Sequence, residues 1–523
     1  MSSVDAVVRR VAHQAATWRA LDSRRRAAIL QSCSEGVASV AEAWVTATCA
    51  AKGIAMDSPL AGEEWYTGPA IVLRHLRQYR DTLLRGGFSN RHLSERNGSW
   101  CAQVFPYERW DRLMFPGYRA EVHGIAGSTA TTGTLGPGGC AAILGAGNVQ
   151  SIPPLDFLYQ MLKENRVVVV KLSPINAYLQ PHLEQAFAPL VTAGFLGFVP
   201  SDAEAGAELI THEKIDAIHL TGSEESFRRV LATPGVEGKE ATAELGAVSP
   251  VLVVPGPWSK ADLRFQAKQV VGMLSVNNGF NCNAPKLLVT ARSWPQREAF
   301  LDAIRAEMLQ VPKRKAWYPG AEERWSRFVR TYGASVPPHA AGETPPVLLA
   351  DIPQDPETLA LKEEAFCSIL AEVALETDGE VEYLDQAVTF VNEKVYGTLS
   401  GTILASPTTD RAALESAIDR LKYGTLGINA WAGFSFALGT TTWGAYPGHT
   451  REDPGSGLGV VHNTFLFDHP AKTVLRAPFR PWLRPPWWPG HRRLGELGKG
   501  ILEYEKNPGL GPVVRLFLAA IRP

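Results

Sequence analysis

A cysteine closes the string Asn277-Asn-Gly279-Phe-Asn-Cys282, and a soft sulfur in such a loop is suited to add to a carbonyl carbon when its pKa is low. Glu244, opening Glu244-Leu-Gly246 ahead of Ser249-Pro250, has the type needed to move a proton, provided that partial burial lifts its carboxylate toward neutrality. Asn148, in Gly145-Ala-Gly147-Asn148-Val-Gln150, offers a side-chain amide that could meet an oxyanion. Each also has an ordinary reading: a thiol packed in a core, a solvated Glu at a strand end, and an Asn taking the left-handed position of a tight turn. The Gly145-Ala-Gly147 string follows an apolar run as a dinucleotide fingerprint does but lacks the third glycine. Thr221-Gly222-Ser223 stands where a strand passes into a helix, so its N–H groups can face a pyrophosphate. Lys171-Leu-Ser-Pro174 and Glu363-Glu-Ala-Phe366 complete the set of polar strings.

The elements that must position these residues are legible in part. Cys140–Leu144, Val167–Val170 and Ile215–Leu220 are short apolar runs bounded by turn residues, which predicts buried parallel strands. Leu183, Ala186, Phe187, Leu190 and Val191 keep helical spacing between Pro181 and Gly194, with Pro189 expected to kink the helix. Strand and helix in alternation argue for a doubly wound α/β sheet. Leu287–Val289, Thr402–Leu404 and Gly427–Asn429 predict strands of a second α/β region. Residues 4–50 and 61–84 read as helical, whereas 97–137 fits either strands or a long loop.

Composition narrows the class of partner. Across 523 residues, 52 Lys and Arg stand against 53 Asp and Glu, so the surface lacks the basic excess that nucleic acid demands. Six dispersed cysteines form no CxxC pair, and twelve histidines show no HExxH or other metal spacing, so no metal site is expected. Reduced thiols, an N-terminal stretch without an apolar signal core and the lack of a membrane-length apolar run place the expected location in the cytoplasm.

In their order, these strings resemble the motifs of the aldehyde dehydrogenase superfamily over roughly residues 20–475. The resemblance implies a Rossmann-like cofactor domain, an α/β catalytic domain and an oligomerising extension, hence a homodimer or homotetramer. It implies NAD or NADP as cofactor and oxidation of an aldehyde to a carboxylic acid, with Cys282 as nucleophile, Glu244 as the base that directs water onto the thioester, and Asn148 with the Cys282 N–H as oxyanion donors. Lys171 matches the lysine on the adenosine ribose, Gly222 and Ser223 the phosphate turn, and Glu364 and Phe366 the pair on the nicotinamide ribose and ring. Ser456-Gly-Leu-Gly459 followed by Phe465, Phe467, His469 and Lys472 looks nearest the branch acting on fatty and aromatic aldehydes.

The chain departs from that family as a divergent member would. Ala146-Gly147 stands for the usual Pro-Trp, Pro174 for the Glu of many NAD-specific relatives, Phe227 for a second glycine, Phe280 for a Gln, and Cys367-Ser368 for Gly-Pro. With Pro174 nothing there repels a 2′-phosphate, so both nucleotides are open. Cys367 reads as a packing thiol. Expected boundaries are 1–243 for the N-terminal helices and cofactor domain, 244–440 for the catalytic domain, 441–477 for the return to the cofactor and oligomerisation region, and 478–523 for a tail. That tail is Trp- and Pro-rich, with eight Lys and Arg against three Glu, and it suits either a wrap around a neighbouring subunit or peripheral contact with a membrane surface. Two rival activities share the motifs: acylating chemistry in which coenzyme A replaces water, or its reverse reduction of an acyl thioester, and a non-catalytic relative kept as a binding scaffold.

Overall fold

The computed structural model describes residues 2–89 and 92–521, with Ile521 described in backbone only; Arg522 and Pro523 of the predicted tail lie outside the described residues. Two sheets organise the chain. The smaller runs Gly457–Leu458, Glu240–Glu244, Ala217–Thr221, Cys140–Leu144, Val167–Lys171, Leu196–Val199. Its last five strands are parallel and Gly457–Leu458 joins antiparallel. Runs such as Val167-Val-Val-Val-Lys171 show no polar alternation because helices cover both faces, and a strand buried on both sides gains from apolar residues throughout. Strand order reverses on either side of Cys140–Leu144, which opens a crevice beyond the carboxyl ends of the central strands. Lys171, Thr221 and Glu244 each end a strand at that rim.

The larger sheet has ten strands in the order Leu93–Arg96, Ser99–Phe105, Arg119–Gly124, Pro470–Arg476, Thr425–Ile428, Ser400–Leu404, Pro250–Val253, Leu287–Ala291, Ile369–Leu375, Val347–Leu349. From Pro470–Arg476 onward neighbours are parallel. The first three strands add antiparallel at Pro470–Arg476, so a three-stranded ribbon continues the large sheet within one chain. Residues 97–137 thus hold two of these strands and a short helix, Arg109–Met114, rather than one long loop.

Local deviations from the sequence pattern have local causes. The helix expected across 183–191 is two helices, Gln180–Ala186 and Ala188–Thr192, because Pro189 has no N–H to bond back one turn. The strand expected to reach Asn429 stops at Ile428: Asn429 takes a left-handed φ of 58°, and its side-chain amide bonds both the N–H and the carbonyl of Ala405. Beyond Arg493 the tail forms two helices, Leu494–Lys506 and Leu510–Ile521, which fold back on the same chain. Gly62 and Gly498 let the first of them press onto the Ala61–Trp65 helix, since a Cβ at Gly498 would lie 2.5 Å from the Gly62 carbonyl oxygen. Buried Glu505 pairs there with Arg74 and Arg77. No helix among the described residues is long and apolar enough to cross a membrane.

Candidate active site

The helix Lys260–Ser275, capped at Ser259 by a reciprocal Ser259–Asp262 pair, delivers the chain to the cysteine loop. Asn277, Asn278 and Gly279 follow in left-handed conformations with φ of 54°, 57° and 77°, a region that Asn tolerates and Gly enters freely. Gly279 is required for a second reason: a Cβ there would lie 2.7 Å from the Cys367 carbonyl carbon. Ser368 donates to the Asn278 carbonyl at 3.0 Å, Ser249 to the Cys282 carbonyl at 3.1 Å, and Lys286 to the carbonyls of Asn281 and Gly279 at 3.1 and 3.3 Å. The cysteine loop is pinned on three sides.

A fourth support was invisible in the motifs. Lys52 donates to Asn277 Oδ1 at 2.9 Å while paired with buried Glu64, and Glu64 also accepts from Gln150. Glu63 accepts from the Asn277 N–H at 2.9 Å and is held by both Arg314 nitrogens. The one signal for this network was that Lys52 continues the buried stripe Val37, Ala41, Trp44, Thr48 of its helix. A charge on an apolar face is meaningful only with a partner.

Cys282 is half-buried, and its thiol donates to Glu244 Oε1 at 3.4 Å. Trp443, which no motif singled out, donates its indole N–H to the same oxygen at 2.8 Å. Glu244 is 1% exposed, and burial, then the charge of Asp156, pushes its carboxyl up to about 7. Burial, reinforced by Glu244 and Glu364, holds the Cys282 thiol well above its ordinary range, with Lys286 opposing. The low-pKa sulfur of the sequence reading is therefore corrected: the resting thiol is protonated, with its acceptor already in place. Asn148 is buried beside it and donates to the Phe280 carbonyl at 3.0 Å, so one amide hydrogen holds the loop and one is left.

The cofactor-motif residues divide between two places. Glu364 and Phe366 lie near the thiol. Gly246 makes room for Glu364, whose Oε2 sits 2.1 Å from where a Cβ would be, and Lys286 Nζ is 3.9 Å from Oε1. Burial pushes Glu364 up to about 7. Phe366 takes a positive φ of 44° and packs with Tyr318 and with Phe280, which explains the unusual Phe280: it fills an aromatic cluster. Lys171, Gly222 and Ser223 lie at the rim of the smaller sheet. Ser223 caps Glu224–Leu231 by accepting from the Ser226 N–H, and the Gly222 N–H donates to the Glu244 carbonyl, tying that turn to the end of the Glu240–Glu244 strand. The Lys171 stem lies 3.3 Å from where a Gly206 Cβ would be, and burial lowers its ammonium pKa. Gly147 explains the missing Trp: a Cβ would lie 2.8 Å from Ser173 Oγ, leaving no space for an indole on this turn. Phe227 is fully buried in the core beneath the phosphate turn. Cys367 is likewise buried, its thiol pushed up to about 12.

From Cys282 and Asn148 a cavity of about 220 Å³ opens outward through Trp431, Phe434 and Phe436. Its outer wall is the tail, including Trp482, Ile501, Leu516 and Phe517, with Trp482 stacked on Phe517 at 6.0 Å. Elsewhere, the ribbon brings Cys101, Glu121 and His123 within 4.8 Å of one another, a grouping that no linear spacing could display because it spans two strands.

Residues 148–319 match the family model described as the aldehyde dehydrogenase family. The chain is 26% identical over 265 residues to betaine aldehyde dehydrogenase of Rhizobium etli, covering 46% of this chain and 50% of that protein. It is 24% identical over 313 residues to succinate semialdehyde dehydrogenase [NAD(P)+] Sad of Escherichia coli, covering 54% and 64%. The matched stretches thus span half to under two thirds of these curated relatives. In three dimensions it is similar to a C291A variant of aldehyde dehydrogenase C of Pseudomonas syringae, solved with NAD+ and octanal, at a TM-score of 0.63 and 18% identity over 91% of this chain and 89% of the other. The two-sheet plan is that of these structures, and the family match runs through both Asn148 and Cys282. Motif order and the match over residues 148–319 make the chain similar to the aldehyde dehydrogenase family, and its fold over nine-tenths of its length is similar to that of a solved aldehyde dehydrogenase.

Proposed function

We propose that the protein is an NAD(P)-dependent aldehyde dehydrogenase releasing a carboxylic acid, and the observation that carries this reading is the Cys282 thiol bonded to a buried carboxylate at the floor of an apolar cavity. When the aldehyde carbon meets Sγ, the thiol proton passes to Glu244 and a C–S bond forms as the carbonyl π pair moves to oxygen. The remaining Asn148 amide hydrogen and the Cys282 N–H meet that oxyanion. A bound oxidised nicotinamide supplies the acceptor for the hydride leaving the tetrahedral carbon. Once Glu244 has lost the thiol proton to solvent, it takes a proton from water as the water oxygen attacks the thioester, and it returns that proton to the sulfur as the C–S bond breaks.

The chain has groups that fit such a cofactor. Glu364 Oε1 is a buried acceptor without a protein partner, which a ribose hydroxyl would satisfy. Lys171 would hold the adenosine ribose, Gly222 and Ser223 the phosphates, and Phe366 the nicotinamide ring. Pro174, opening a short 3-10 turn after the Lys171 strand, leaves NAD and NADP both acceptable.

The cavity favours a lipophilic or aromatic aldehyde. It exceeds the ~150 Å³ pocket that admits benzene, and its outer lining is largely aromatic and aliphatic. The outer face of the last helix leaves Leu510, Val514 and Leu518 exposed at four-residue spacing beside Trp482, which supports peripheral contact with a lipid surface. Strand Leu93–Arg96 leaves a free sheet edge on which subunits of a homodimer or homotetramer can meet. The six unpaired cysteines suit the reducing cytoplasm.

Aldehydes of graded chain length, with NAD or NADP and with or without coenzyme A, test the reading. Turnover should need no coenzyme A and should vanish in Cys282→Ala. Glu244→Gln should slow the first burst of reduced nicotinamide, because the thiol has lost its proton acceptor, and then stall as the acyl-enzyme. Dependence on coenzyme A would assign the acylating chemistry instead, and absence of both turnover and nucleotide binding would leave a scaffold.

A further inference from the structure

Each turnover places protons on Glu244, and Glu244 is sealed from solvent. Its Oε1 is occupied by Cys282 and Trp443, while Oε2 has no protein partner. On the smaller sheet, Thr221 is the register partner of Glu244 and His219 that of Thr242, so these four side chains stand on one face of two adjacent strands. Asp156, fully buried on the helix Ile152–Leu162, faces them.

The bonds from Asp156 through Thr221 and His219 to Thr242 form an unbroken line. Thr221 Oγ1 donates to Asp156 Oδ2 at 2.9 Å, His219 Nε2 lies 3.2 Å from Thr221 Oγ1, and His219 Nδ1 lies 2.9 Å from Thr242 Oγ1. Thr242 is half-buried and is the first group of the line to reach the surface. Asp156 Oδ1 has no hydrogen-bond partner, as is true of Glu244 Oε2. The charge of Asp156 acts on Glu244, and Thr221, which bonds Asp156, is the register neighbour of Glu244, so a proton leaving Glu244 meets this pair first.

We propose that Asp156, Thr221 and His219 are the proton exit of this site, carrying the proton that Glu244 collects from Cys282 or water to the surface at Thr242. The proton moves from Glu244 to Asp156. Asp156 then gives it to Thr221 Oγ1 as the Thr221 hydroxyl proton passes to His219 Nε2, and the Nδ1 proton leaves through Thr242. No electrons are transferred, and rotation of the Thr221 and Thr242 hydroxyls, together with a flip of the neutral His219 ring that returns its N–H to the Thr242 side, resets the line. The proposal rests on Glu244 being the base. The remaining titratable groups facing the pair are His462, whose Nε2 is 3.7 Å from Asp156 Oδ1, with His75 stacked against it, and Glu364 with Lys286 on the Cys282 side. Neither ring nitrogen of His462 has a hydrogen-bond partner among the described residues to pass a proton to, which leaves the line to His219.

Stopped-flow bursts, steady-state turnover and proton release to an indicator dye, compared for wild type, Asp156→Asn, Thr221→Val and His219→Gln, test this. Expected are an intact burst, turnover lowered about tenfold or more, and partial rescue by concentrated imidazole buffer. Thr221→Val keeps shape while breaking the line, so it decides the matter should Asp156→Asn fail to fold. Wild-type turnover in Thr221→Val, or burst and turnover falling together without buffer rescue, overturns the relay alone. A wild type with no burst at all overturns the base assignment, and the relay falls with it.

Discussion

Glu244 sets the pH behaviour of the site. Its carboxyl, raised to about 7 chiefly by burial, is protonated below that pH and cannot accept from water. Turnover should therefore rise with pH through about 7 and be lost on the acid side, which a pH profile of kcat checks directly. The stability sign is opposite. A group with a folded pKa above its unfolded one favours folding while protonated, below the unfolded value near 4.5, and loses that contribution as pH climbs through about 7. Glu244→Gln should thus stabilise the fold at pH 8 relative to wild type by something on the order of 3 kcal/mol, read as a higher Tm, and scarcely at pH 4. Equal Tm differences at both pH values would contradict the burial account. Cys282, Glu244 and Asn148 were legible as residues because each sits in a short string with a turn or strand end. Trp443, Asp156 and His219 were not: they converge on Glu244 from other elements, and a lone Trp, Asp or His carries no spacing to read.

At the scale of elements, the loop Asn277–Gly279 depends on three consecutive left-handed residues and on a bare backbone at Gly279. Gly279→Ala meets both a positive φ and the Cys367 backbone at 2.7 Å, and no side chain is there to yield. The loop must shift, and a misplacement of about 1 Å at a reacting atom costs on the order of 100-fold in rate. The expected outcome is a burst rate lowered by that factor with the circular dichroism spectrum unchanged; a normal burst would show that the loop tolerates a Cβ. Half of the parallel strands, among them Cys140–Leu144, Val167–Lys171 and Leu287–Ala291, could be read from apolar runs bounded by turn residues, since burial on both faces leaves that signature. The ribbon at 93–124 could not, because its strands mix Arg, Glu and Ser with apolar residues and their pairing with Pro470–Arg476 is a contact across more than three hundred residues.

At the scale of the whole molecule, the tail turns an open cleft into a tunnel. The sequence pointed to a basic, Trp-rich segment, but its destination lay in features without a pattern: two glycines at 62 and 498 that let helices touch, and Glu505 buried against two arginines. Once docked, Trp482, Ile501, Leu516 and Phe517 line the cavity that Cys282 also lines, with the exposed Trp482 on its solvent side. A short aldehyde filling only the inner part never meets them, whereas a long chain must bury its far methylenes against them, each contributing about 0.8 kcal/mol when fully removed from water. Phe517→Ala should accordingly raise KM for a long-chain aldehyde about tenfold, the loss of roughly 1.4 kcal/mol of uniform binding, while leaving kcat and the KM of propanal unchanged. Steady-state kinetics on the two substrates measure this. If both substrates lost affinity together, the tail would be acting on the fold of the site as a whole, and if neither did, the chain of the substrate would have to leave by another wall of the cavity, past Tyr66 and Ile71.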